Sequence, residues 1–224
     1  MLGFHNKDKR PWKFLEEMNK NMYVFGASGH GKVVAEAAET AGMEVSGFID
    51  ENPNLSSLLD LPVLKELPLG AKEMVISVGK NEVRKKIVDR FPNLVYPKII
   101  HAFSFVSKRA AIGDGTVILS GVSVNSEAKV GKHCILNTNS SIDHDCELGD
   151  FVHISPNAAL AGDVAVGEGT HIGIGAAVIQ GVKIGKWAVI GAGAVIIRDV
   201  PDFAVMVGNP AKQIKTVENT NTDR

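Results

Sequence analysis

The chain is short of aromatic residues, of net charge and of cysteine, and each shortage excludes a class of protein. Aromatics make up only 6% of the 224 residues, with two Trp and two Tyr, although 45% of the chain is hydrophobic. A core must then be filled by recurring medium-sized aliphatics and not by a few large rings. With 24 Lys+Arg against 25 Asp+Glu the formal net charge is −1, which excludes recognition of nucleic acid or an anionic membrane by bulk charge. Two cysteines, Cys134 and Cys146, cannot build a disulfide framework, and they fit a reducing, cytoplasmic setting. No apolar run approaches the roughly 20 residues of a membrane-spanning helix. Residues 1–20 are charged and lack the apolar centre of a signal peptide. Residues 1–21 read as a poorly ordered extension ahead of the first structured segment at Met22.

What is present is repetition. From Val106 to Ile196 every sixth residue is Ile, Leu or Val, and the next step, Asp202, breaks the series. Neither a helix nor a simple strand selects every sixth position so strictly. Two residues before each aliphatic stands a small or medium residue, from Ala110 through Cys134 and Cys146 to Ala194. Positions i and i−2 share one face of a strand, so each hexad reads as a short strand with one large and one small inward residue. Both cysteines occupy the small inward position, which makes them packing residues. A period of 18 overlies the hexad, visible in Ile112-Gly113, Val130-Gly131, Leu148-Gly149, Val166-Gly167 and Ile184-Gly185. Three hexads make one triangular coil, and about five coils stacked roughly 4.8 Å apart form a parallel β-helix over residues 99–202. Residues 203–224 leave the frame and read as a cap, Val207 to Ile214, followed by a disordered tail.

Residues 22–98 alternate strand and helix, which implies a small parallel α/β sheet of Rossmann-like form. The expected elements are a strand from Met22 into a glycine-rich turn, a helix from Lys32 to Ala41, strands at Val45–Ile49 and Glu73–Val78, and a helix from Glu82 to Phe91. In the turn, Gly26-Ala-Ser-Gly-His-Gly31 places Ser28 where the dinucleotide fingerprint has its second glycine. A standard dinucleotide site is therefore disfavoured, while amides at the helix start still favour a phosphate. Asp50, at the end of the second strand, is placed to accept ribose hydroxyls.

The glycine loop, the hexads, Ile142-Asp-His-Asp-Cys146 and Val207-Gly-Asn-Pro-Ala-Lys212 together resemble the hexapeptide-repeat acetyltransferases acting on nucleotide-linked amino sugars and on sialic acid. The resemblance covers Met22 to Ile214. It implies a left-handed β-helix, a homotrimer with sites between subunits, acetyl-CoA as cosubstrate and no metal. It implies His144 as general base, with Asp143 or Asp145 orienting the ring, the choice between them open. It implies acetyl-CoA contacts from His153, Gly162 (an amide for the oxyanion), Ile174 and Gly191-Ala192-Gly193. It implies contacts to the nucleotide sugar from Gly26, Ser28, Gly29, His30, Gly31, Asp50, Glu51, Gly79 and Asn81.

The residues support this chemistry independently. Acetyl transfer needs a base, close reactants and a stabilised oxyanion. Histidine titrates near neutrality, and a flanking carboxylate fixes its tautomer. His144 stands beyond the inward Ile142 at an edge of the prism, bracketed by two aspartates. His153 and His171 precede inward aliphatics and point outward, 18 residues apart. His171 reads as solvated, and His101 and His133 carry no partner signal. The preferred acceptor is a UDP-linked 4-amino-4,6-dideoxy sugar, with sialic acid O-acetylation as the alternative. A non-catalytic nucleotide-sugar-binding trimeric scaffold leaves Asp143-His144-Asp145 unexplained. An inert solenoid needs no second domain, and a zinc hydratase of this fold needs a close histidine pair absent from the histidines at 133, 144, 153 and 171.

Overall fold

A computed structural model of the protein describes residues 22–217. The extension at 1–21 and the tail at 218–224 lie outside the described residues. The N-terminal sheet is built from β1 (Met22–Phe25), β2 (Val45–Ile49), β3 (Ser57–Leu58), β4 (Leu61–Leu64) and β5 (Glu73–Ile76), in the order β3-β4-β2-β1-β5. Strand β1 pairs in parallel with both β2 and β5. Helix α1 (Gly29–Thr40) links β1 to β2, and α2 (Asn81–Arg90) follows β5.

Two features depart from the sequence expectation. Helix α1 begins at Gly29, three residues before Lys32, so the second half of the glycine segment is the first turn of the helix. Gly31 permits this, because a Cβ there would stand 2.3 Å from the carbonyl oxygen of Gly26. The hairpin of β3 and β4 was not foreseen. Its turn places Leu59 and Asp60 in left-handed conformations, which Asp60 tolerates but Leu59 does not announce.

The β-helix has three walls of two-residue strands. Wall A runs from β7 (Phe105–Val106) through Ser141–Ile142 to Val195–Ile196. Wall B runs from β8 (Ala111–Ile112) through Glu147–Leu148 to Lys183–Ile184. Wall C starts at β6 (Ile99–Ile100) and runs through His153–Ile154 and His171–Ile172 to Val189–Ile190. It closes with the strand Ala204–Gly208 and the antiparallel strand Ala211–Thr216. From Ile99–Ile100 to Val195–Ile196 the coils pair in parallel with an offset of 18, so the inward aliphatics stack in columns, and the closing strand pairs Val189 with Val205 at an offset of 16.

The second residue of each strand faces the core, and the small residue of each hexad joins it. Ile142, Ile154, Ile172, Cys134, Cys146 and Ala158 are all inaccessible to solvent. Burial pushes the Cys134 thiol up to about 12, so it stays protonated as a packing group. Buried Thr116 and Thr170 span successive coils, donating to Gly131 and Gly185 carbonyls and accepting amides from Cys134 and Ala188.

One corner column is glycine by necessity. At Gly167 an added Cβ would stand 2.6 Å from the Lys186 amide nitrogen and 2.7 Å from the Gly185 carbonyl carbon, both backbone. Gly167→Ala should therefore lower stability by about 1–3 kcal/mol through coil displacement, measured as a lowered denaturant midpoint. An unchanged midpoint would mean that the coils can separate at this corner without cost.

Candidate active site

His144 sits at the corner between walls A and B, between Ser141–Ile142 and Glu147–Leu148. Its Nδ1 donates to Asp145 Oδ2 at 2.7 Å, with the two side chains 54% and 58% exposed. This resolves which aspartate serves the ring. Asp145 occupies the left-handed corner position, φ 60°, a conformation that Asp tolerates better than most residues, and its carboxylate turns back onto the imidazole. Asp143 serves the backbone instead. Its Oδ1 accepts the His144 amide and the Asn125 side-chain amide, both at 2.8 Å. Asn125, 18 residues before Asp143, was missed from sequence, although the coil period places the two in one column.

The Asp145 hydrogen bond, aided by the charge of Asp143, holds the His144 pKa above its ordinary value. With Nδ1 committed to Asp145, Nε2 is left to exchange a proton with a reactant. The ring lies across Gly162 of the next coil, where a Cβ would stand 2.5 Å from Cε1 and 2.7 Å from Nε2. Gly162 is thus the floor under the imidazole.

The other expected residues gather elsewhere. His153 and His171 lie on wall C and point away from the prism core, as alternation requires, but they are not solvated. The N-terminal domain covers this wall, leaving His153 buried and His171 half-buried. Their rings stack at 4.7 Å and 8°, and His171 Nε2 meets Ser155 Oγ at 2.7 Å. The expectation of a solvated His171 fails because the pattern of one strand says nothing about a domain laid over it. Burial, then His171 and Arg84, lower His153 to about 3. His133, expected to lack partners, stacks on Phe151 at 5.2 Å and meets Tyr96 edge-on at 4.8 Å. Ile174 and Gly191-Ala192-Gly193 meet at the corner between walls C and A, where the Gly193 amide donates to the Ile174 carbonyl at 2.8 Å.

The nucleotide-domain residues lie together at the carboxyl ends of β1, β2 and β5. Gly26 has φ 106°, and a Cβ there would meet Ser77 Oγ at 2.8 Å. Ser28 caps α1 with no side-chain bond, and the first turn, including Gly29, carries no acid. This suits an anion at the helix start. His30 is half-buried with its Nε2 unpartnered. The Asp50 carboxylate braces the loop by accepting the Ala27 and Asn52 amides at 2.8 and 2.9 Å. Glu51 is exposed and pairs with Arg90. Asn81 departs from the expected substrate contact. It is 5% exposed, its Nδ2 donates to the Gly169 and Thr170 carbonyls, and its Oδ1 accepts from Arg84, so the side chain is spent on docking the domain. Gly79 abuts wall C, its carbonyl accepting from His153 Nδ1 at 3.2 Å.

The structure thus joins the nucleotide-domain group to the wall C group. It sets both across the prism from the corner that carries His144, Asp145 and Gly162.

A prism of hexapeptide coils bearing an exposed, carboxylate-braced imidazole defines the class, a hexapeptide-repeat acyltransferase. Comparison with known proteins agrees. Residues 21–91 match the PglD N-terminal domain family, and residues 163–198 match the bacterial transferase hexapeptide (six repeats) family. A mutant perosamine N-acetyltransferase from Caulobacter crescentus, solved with CoA and GDP-perosamine, is 35% identical. That match covers 87% of this chain and 97% of the other, with a TM-score of 0.83. The acetyltransferase domain of PglB from Neisseria gonorrhoeae FA1090, solved with acetyl coenzyme A, is 37% identical over 88% of this chain and 100% of the other, TM-score 0.82. WeeI from Acinetobacter baumannii AYE is 28% identical over 87% and 99%, TM-score 0.80. The chain belongs to the hexapeptide-repeat nucleotide-sugar acetyltransferases.

Gly162→Ala should displace the His144 ring and cut turnover by about 100-fold, the usual order for a misplaced catalytic group, with the thermal midpoint little changed. An unchanged rate in the acyl-transfer assay would mean that the ring does not depend on Gly162 for its place.

Proposed function

We propose that the protein transfers an acetyl group from acetyl-CoA to the amine of a nucleotide-linked amino sugar, with His144 as general base. The observation that carries this reading is the His144–Asp145 pair against Gly162, with Nδ1 anchored and Nε2 free. The relatives solved with CoA and GDP-perosamine or with acetyl coenzyme A support the reactant classes. A UDP-linked 4-amino-4,6-dideoxy sugar is the acceptor proposed first, with its GDP-linked counterpart as the competing choice.

The sugar nucleotide would sit with its phosphates at the start of α1, near His30 and Asp50, and its sugar directed to wall C. The neutral amine attacks the thioester carbonyl, forming the C–N bond as the developing oxyanion is met by a backbone amide such as that of Gly162. His144 Nε2 takes the proton shed by the amine, and Asp145 steadies the imidazolium. The C–S bond breaks, and the thiolate leaves to be protonated.

Because wall C and the His144 corner lie on opposite sides of one prism, a pocket containing both must be assembled from two copies. This supports a homotrimer with sites between subunits. Among the described residues no helix is long and apolar enough to cross a membrane.

Release of free thiol from acetyl-CoA should be seen with one nucleotide amino sugar. His144→Ala should lower it by about 10²- to 10⁴-fold. Turnover with sialic acid alone would move the reading to O-acetylation, and silence across all acceptors without acetyl-CoA binding would overturn it.

The pH profile gives a second test. Asp145 raises the His144 pKa, and catalysis needs the neutral ring, so the rate should fall as pH drops through that raised value. Asp145→Asn, which keeps a side chain tolerant of the left-handed corner, should move the acid limb to lower pH while reducing the plateau rate. A limb that stays in place would remove Asp145 from the dyad.

A further inference from the structure

The interface between the two domains holds a buried cation that the transfer reaction does not use. Arg84, on α2, is 1% exposed, and no carboxylate bonds to it. Its five N–H groups meet neutral oxygens. Nε donates to the His133 carbonyl at 2.8 Å. One terminal nitrogen, Nη1, donates to the carbonyls of Val78 at 2.9 Å and Gly79 at 3.4 Å. The other, Nη2, donates to Asn81 Oδ1 at 2.9 Å and the Phe151 carbonyl at 2.7 Å. The acceptors come from the loop before α2, from α2 itself, and from two coils of the β-helix.

A guanidinium with all five donors satisfied is a rigid fork. One of the oxygens it holds, the Gly79 carbonyl, also faces His153 Nδ1 at 3.2 Å. A carbonyl can only accept, so Nδ1 must carry the proton. The opposite ring nitrogen is fixed by a second argument. Asn137 Oδ1 accepts the Thr138 amide at 2.9 Å, which sets the orientation of the Asn137 amide. Its Nδ2 therefore faces His153 Nε2 at 3.3 Å as a donor, and Nε2 must offer a lone pair. A ring protonated at Nδ1 and unprotonated at Nε2 is neutral.

We propose that Arg84 is a positioning residue that holds His153 in a single neutral tautomer, Nδ1–H with an accepting Nε2, by clamping the Gly79 carbonyl between the nucleotide domain and wall C. The purpose of the clamp rests on the proposed transferase reading. It keeps a neutral ring engaged by Gly79 and Asn137, and not a second cation, beside the buried Arg84 on the wall the reactants would approach.

The surrounding groups favour the same state. From α2 come Arg84 and Glu82, from α1 His30, and from wall C itself the stacked His171. Burial and the Arg84 charge push His30, His153 and His171 toward the neutral form, with Glu82 the opposing charge at His171. Arg84 itself is lowered by burial only to about 10 and stays charged.

The test needs no substrate, so its failure is distinct from failure of the transferase assay. Magic-angle-spinning spectra of the full chain with ¹⁵N-labelled histidine report ring protonation directly, with His153 assigned by loss of its signals in His153→Gln. The expected result is the Nδ1–H tautomer alone, unchanged between pH 8 and pH 5. Arg84→Lys keeps a charge but cannot hold five acceptors, and it should bring in the second tautomer as a mixture. If Arg84→Lys does not fold, Asn81→Ala, which removes one Arg84 acceptor, takes its place with the same expectation. An Nε2–H or cationic His153 in the native protein at pH 7, or an undisturbed single tautomer in the folded variant, overturns the proposal.

Discussion

Strands of two residues can exist only because another coil lies above and below them. Nothing within Ser141–Ile142 or His153–Ile154 pairs with itself. Their backbone groups bond to the neighbouring coils in a register of 18, the Ser141 amide to the Ala158 carbonyl and the His153 amide to the Thr170 carbonyl. The remaining features follow from keeping that register. The inward position must stack aliphatic on aliphatic, because a change of size in one coil is felt by two neighbours. The Gly167 column must lack side chains, because two backbones meet there. Corner residues must accept left-handed conformations, which fall on Gly, Asn and Asp but also on His133, Phe151 and Trp187.

The same register explains how the His144 ring is held on a corner that makes no regular secondary structure. His144 has no wall of its own. It is fixed by Asp145, whose carboxylate is aimed by the corner conformation, by Asp143 through the backbone, and by Gly162 one coil away. Each of these positions is set by the coil period and not by local packing, so the geometry is as stiff as the stack. The exposed ring keeps a raised pKa, whereas the buried histidines of wall C are lowered. One chain thus carries imidazoles of two opposite characters, separated by the width of the prism.

Much of this was legible in the sequence because a solenoid writes its geometry as a period. The inward aliphatics, the buried cysteines and the corner position of His144 could all be read by counting in sixes. The α/β alternation and the glycine loop were equally plain, although α1 begins inside that loop. What counting could not reach was the docking of one domain on the other. His171 read as solvated, Asn81 as a substrate contact and His133 as unpartnered. Arg84 carried no signal that set it apart. Asn81 and Arg84 are decided by contacts to residues 49 to 89 positions away, for which no period exists, while His133 and His171 stack on residues one coil period away and are shielded by the domain laid over wall C. The choice between Asp143 and Asp145 was hidden for a smaller reason. It depends on the sign of one backbone angle, and sequence marks that angle only weakly.

The two domains also share a core. Ile99, Val117 and Leu119 of the first coils pack with Met22, Val24, Val34 and Phe48 of the N-terminal sheet and helix. The N-terminal domain is therefore seated on the outer face of wall C as part of one continuous core. Exchange of that module between relatives, by recombination or by design, would have to carry the first coils of wall C with it. Variation in such proteins is then free to come by substitution at the rims of β1, β2 and β5, but not by wholesale replacement of the N-terminal domain.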